Sequence, residues 1–137
     1  MKNLLTSAIA VIMAISMAFC LTSCGGPSDE QTAEIENLLT KYESLVKQCE
    51  TESAKYPAID DESYTKSIKE FVGTVAEIKQ LAADTRTAYN ESKDNYTPED
   101  ADNVIASLKN QVENCENLLT QIKDNVEEVK NAMLITG

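Results

Sequence analysis

Four cysteines, 23 carboxylates and no histidine are the side chains with which this chain could do chemistry. Without histidine it lacks the commonest general base and a leading transition-metal ligand. Most carboxylates are spread among lysines along polar helix faces, as solvated faces usually are. Two clusters are denser, Asp60-Asp61-Glu62 and Glu99-Asp100. Both stand where a helix would begin, and acids there stabilise the helix dipole without any acid–base role. The sequence has no Asp-x-Asp-x-Asx-Gly calcium loop, no glycine loop to cradle phosphate and no serine in a nucleophile elbow. Cys20, Cys24, Cys49 and Cys115 include no CxxC spacing for a redox site. The expectation is a protein that is not an enzyme, with no catalytic residue, no metal site and no cofactor.

Of the four, Cys24 has the most telling surroundings. Lys2 supplies one positive charge, and an uncharged apolar run follows from Leu4 through Phe19 to Leu21. That pattern is a secretory leader. Its length of about 18 residues is the lower edge of what spans a bilayer, so an uncleaved membrane helix is the rival reading. Leu21-Thr22-Ser23-Cys24 resembles the lipobox of bacterial lipoproteins, an aliphatic residue and two small ones before a cysteine. The resemblance implies cleavage before Cys24, with acyl chains such as palmitate on its thiol and new amino terminus. Phe19 is too bulky for the same cut before Cys20. Two or more acyl chains anchor a protein stably, where one is marginal.

On this reading residues 1–23 are the leader, 24–30 the lipidated cysteine and a short tether, and 31–137 the domain proper. Gly25, Gly26 and Pro27 permit no regular structure in the tether. Gly25 also stands where the inner-membrane retention signal of enteric lipoproteins has Asp. Asp29 and Glu30 weakly resemble the surface-export signal of Bacteroidota lipoproteins. The expected location is therefore the bacterial envelope, at the outer membrane, facing the periplasm or the surface.

Loss of Lys2 with the leader takes the formal net charge from −11 to −12. Such a charge favours solubility and repels nucleic acid and anionic headgroups, so nucleic acid is excluded as a partner. With three Pro and four Gly, nearly all at boundaries, the composition favours long helices.

Three apolar stripes at alternating spacings of three and four follow. The first, over residues 29–56, opens on the capping box Ser28-Asp29-Glu30-Gln31 and runs Ile35, Leu38, Tyr42, Leu45, Cys49, Glu52, Tyr56, widened by Leu39 and Val46. Pro57 stops it. The second, over residues 61–94, runs Tyr64, Ile68, Phe71, Val75, Ile78, Ala82, Thr85, Tyr89, Ser92, Tyr96, with a small, polar second half expected to pack loosely. Thr97-Pro98-Glu99-Asp100 is the clearest helix start. The third stripe, over residues 98–134, runs Ala101, Ile105, Leu108, Val112, Cys115, Leu119, Ile122, Val126, Val129, Met133. Short links make successive helices antiparallel neighbours, which predicts an all-α, up-down-up three-helix bundle with coiled-coil-like heptad packing.

Once Cys20 is removed and Cys24 lipidated, Cys49 and Cys115 are the two thiols left, and outside the cytoplasm such a pair favours a disulfide. Two buried thiols acting as small hydrophobes are the alternative. If all three helices finish level, the two lie about 16 Å apart along the axis, and an extended 57–61 link recovers about 10 Å of that. Thr85, Tyr89 and Tyr96, in the loose half, form a candidate ligand or partner patch. The functional expectation is a lipid-anchored scaffold, adaptor or partner-binding module for an unknown envelope protein. The alternatives are a self-associating anchored coiled coil and a small-ligand-binding lipoprotein.

Overall fold

Each helix begins on a side chain that satisfies its own first backbone amides. Ser28 Oγ accepts from Gln31 N at 3.1 Å while Ser28 N donates to Gln31 Oε1 at 2.9 Å, a complete capping box. Asp61 accepts from Tyr64 N at 2.8 Å. Thr97 and Asp100 exchange the same reciprocal pair, at 3.0 and 3.1 Å. These caps define α1 (Asp29–Ser53), α2 (Glu62–Ser92) and α3 (Pro98–Thr136), with a 3-10 turn at Lys93–Asn95. The computed structural model describes residues 26–136, and among them there is no strand. The expected leader and tether start, residues 1–25 with Cys24, lie outside the described residues.

The chain is an all-α three-helix bundle, as the periodicity predicts. Cross-helix ion pairs give the directions. Arg86 meets Glu36 and Glu43 while Lys79 meets Glu50, so numbers rise on α1 as they fall on α2. Between α1 and α3 both numbers rise together, Glu34 with Lys109 and Lys41 with Glu116. The outer helices in sequence are therefore parallel, with α2 antiparallel to α1.

The shortest helix is the spine. α1 approaches both neighbours closely, α3 over the longer stretch, whereas no Cα of α2 comes within 8 Å of one on α3 among the described residues. Bulky side chains on α2, Phe71 and Tyr89 among them, are fully buried. Gln31 also donates to Pro98 O at 3.0 Å and Asp102 Oδ1 at 2.8 Å, which brings α1 and α3 level at their starts. With 25 residues against 39, α3 then runs about 20 Å past the end of α1. The link and the first turns of α2 cover part of this overhang. Tyr64 Oη donates to Pro57 O at 2.9 Å, and the Tyr56 and Phe71 rings meet edge-on at 5.9 Å.

The first stripe needs three corrections. α1 ends at Ser53, not Tyr56, and Ser53 rather than Glu52 takes the inward position. Pro57 disfavours helix at the residue before it, and the Ser53 hydroxyl bonds back to Glu50 O at 2.9 Å, so the last turn closes early. Glu52 turns outward and pairs with Lys55 at 2.7 Å. Leu39, not Leu38, is the fully buried leucine of its pair. In α3 nine of the ten stripe residues are buried, and Met133 is 38% exposed on the overhang. The second helix ends at Ser92, and the tightened turn at Lys93–Asn95 replaces the expected last turn of α-helix.

Gly73 faces outward in mid-α2, and a Cβ added there would meet nothing within 4 Å. Gly73→Ala is expected to stabilise the protein by about 1 kcal/mol. Thermal unfolding followed by circular dichroism should show a midpoint a few degrees higher, and a lower midpoint would mean the site is not open.

Candidate functional site

The two cysteines of the core seams, Cys49 and Cys115, come together. They are 1% and 5% exposed and stand as free thiols, with Cys49 Sγ 3.8 Å from the Cys115 carbonyl oxygen. The axial gap expected from helices finishing level does not arise, because α1 and α3 start level instead. Burial pushes the Cys49 thiol up to about 11, with Lys123 pulling weakly the other way. Burial and the neighbouring Cys49 push Cys115 up to about 12. Buried thiols held neutral are poor nucleophiles, so the native pair is not a reactive centre.

Thr85, Tyr89 and Tyr96 are also brought together, but inside the protein. They are 5%, 1% and 2% exposed, so the expected open patch is instead packed core. The reason is local. Tyr96, extended after the 3-10 turn, folds its ring edge-on against Tyr89 at 5.6 Å. The Thr85 hydroxyl donates to Leu81 O at 2.8 Å, within its own helix. The small residues that suggested loose packing leave room for two aromatic rings, and the rings fill it. Burial raises both tyrosines above the ordinary phenol range, and the hydroxyl of Ser92 partly offsets the rise at Tyr96.

A feature not anticipated from the sequence is the cluster around Arg86, the only arginine of the chain. Its guanidinium donates through Nη1 to Glu36 at 2.6 Å, and through Nε and Nη2 to Glu43 at 3.2 and 2.6 Å. Nη2 also reaches Thr40 Oγ1 at 3.4 Å. Glu36, Thr40 and Glu43 share one face of α1 at helical spacing, which was the available signal. The hydrogen bond to Glu43 leads in raising the guanidinium pKa further. This fork fixes α2 against α1 and commits the guanidinium to two carboxylates of α1.

Beside it lies a shallow cleft of about 380 Å³ between α1 and α2, lined by Glu43, Val46, Lys47, Glu50, Lys79, Ala82 and Ala83. Ala82 and Ala83 create it by their small size. Lys79 bonds Glu50 at 3.0 Å across it, and Glu43 is held by Arg86. Much of its charge is thus paired internally. Among the described residues no three His, Cys, Asp or Glu side chains converge to hold a metal ion, and no helix is long and apolar enough to cross a membrane. No family model, curated protein or solved structure matches this chain.

Proposed function

We propose that this chain is a lipid-anchored, non-enzymatic protein of the bacterial envelope whose bundle serves as a scaffold or adaptor for another envelope component. The observation that carries the reading is the stretch Leu21-Thr22-Ser23-Cys24, a few residues before the cap at Ser28. An anchor on Cys24 would hold the starts of α1 and α3 and the end of α2 against the bilayer. The free end of α3 would then stand about 58 Å away, a span set by 39 residues of helix. A rigid rod on a short tether suits reaching a partner better than enclosing a substrate.

The interior supports a bundle within one chain over a coiled coil between chains. The stripes of α1, α2 and α3 bury one another, from Ile35 through Phe71 to Val126, and so are not free to form a seam with a second copy. A small-ligand role is less favoured because Thr85, Tyr89 and Tyr96 are interior.

The test compares wild type with Cys24→Ala in fractionated, crosslinked cells. Wild type is expected in the membrane fraction, carrying palmitate label and crosslinked to a defined envelope protein. Cys24→Ala should lose the label, and the crosslink with it. Label on neither form would overturn the anchor. A wild type crosslinked only to itself would favour the self-associating alternative.

A further inference from the structure

We propose that Cys49 and Cys115 are joined by an intramolecular disulfide that staples α1 to α3 and forms while the chain folds. The proposal rests on the exported, anchored reading above, which supplies an oxidising compartment. Its geometric basis is independent of that reading. The two thiols lie in the seam between the two helices with the longest close approach, and the sulfur of one touches the backbone of the other at 3.8 Å. They are the only cysteines among the described residues, so pairing within the domain is unambiguous. The ion pairs Glu34–Lys109 and Lys41–Glu116 cross the same seam between the same two parallel helices. Bridging then asks for rotation of the side chains, not for sliding of one helix past another.

The oxidant is a disulfide R–S–S–R, either of an oxidoreductase or of a small thiol. One cysteine, as its thiolate, attacks R–S–S–R, forming a mixed disulfide and expelling RS⁻, which takes up a proton. The second cysteine loses its proton and attacks the protein sulfur of the mixed disulfide, expelling the second RS⁻. Two thiols and one R–S–S–R become one protein disulfide and two RSH. In the folded chain neither thiol is reachable, and burial keeps both neutral. The exchange therefore runs before the core closes, and the finished bond is sealed from reductants. The pair is a staple set during folding, not a switch thrown afterwards.

The experiment is a peptide map of the protein from cells quenched in acid and alkylated under denaturing conditions. Trypsin without reductant should yield residues 48–55 joined to residues 110–123, separating only after reduction. Reducing the purified protein in denaturant and refolding it in reductant should lower its melting midpoint by roughly 15 °C, from loss of a bridge across a 66-residue separation. A Cys49→Ala/Cys115→Ala variant should show no response to reductant. Both peptides alkylated in full from cells would overturn the proposal. Refolding the reduced protein with oxidised glutathione then tells which premise failed. A joined pair formed only there condemns the compartment, and none formed even there condemns the geometry.

Discussion

Between pH 9 and pH 12 the reduced protein is expected to lose its helical signal, and to lose it earlier than the bridged form. Three buried acids ionise late in the fold. Burial, with a smaller contribution from Cys115, lifts Tyr42 from an ordinary 10.0 to about 12. The thiols rise from 9.0 to about 11 at Cys49 and about 12 at Cys115. For each, the folded chain binds its proton more tightly than the unfolded chain does. The stability this confers is complete below the unfolded value and drains away as pH climbs through the folded value. A tenfold difference in proton affinity is worth about 1.4 kcal/mol, so Tyr42 alone gives up about 2 kcal/mol by pH 12. The thiols add several more, though they raise one another and do not simply sum. Domains of this size are marginally stable, so losses of this kind weigh heavily.

A disulfide removes both thiols from this balance and leaves only the tyrosines to titrate. Circular dichroism at 222 nm and phenolate absorbance near 295 nm compare the bridged protein with protein reduced in denaturant and refolded in reductant. Phenolate should appear together with loss of helix, and at lower pH when reduced. Tyrosines titrating near pH 10 with the helices intact would contradict the burial of these rings.

The second large effect is expected at Phe71. Its ring is 1% exposed and meets Tyr56 edge-on near the end of the bundle where α1 has already stopped. With one helix fewer to close in, little can collapse into the space a truncation leaves. Phe71→Ala should cost about 3–5 kcal/mol, measured by urea unfolding. The next residue provides the control. Val72 is 42% exposed, and Val72→Ser should change stability by less than about 0.5 kcal/mol. A similar loss at both positions would mean that α2 is rotated from the orientation described.

The positions at which sequence and tertiary structure part company follow one physical line. Ser28 and Thr97 were legible as caps, and the Asp60-Asp61 pair as containing one, because a cap bond joins residues two or three apart. The seams were legible because a helix repeats every 3.6 residues whatever it packs against. Nine of ten residues in the third stripe are buried accordingly, and Met133 escapes only because its helix outruns its neighbours. Closeness in sequence to Pro57 was not enough to place the end of α1, since Ser53 competes for its last carbonyls one turn earlier.

By itself, then, the sequence determined three helices, their starts, their inward faces and their alternating directions, and the proposal of an anchor rests on the test at Cys24. Tertiary structure alone decided the register that brings Cys49 beside Cys115, the fork of Arg86 on Glu36 and Glu43, and the burial of Thr85, Tyr89 and Tyr96. Periodicity says which way a residue faces around its own axis, and it is silent about height along a neighbour's. Height here is set by Gln31 reaching Pro98 and Asp102, a contact between residues about 70 apart that no local rule contains.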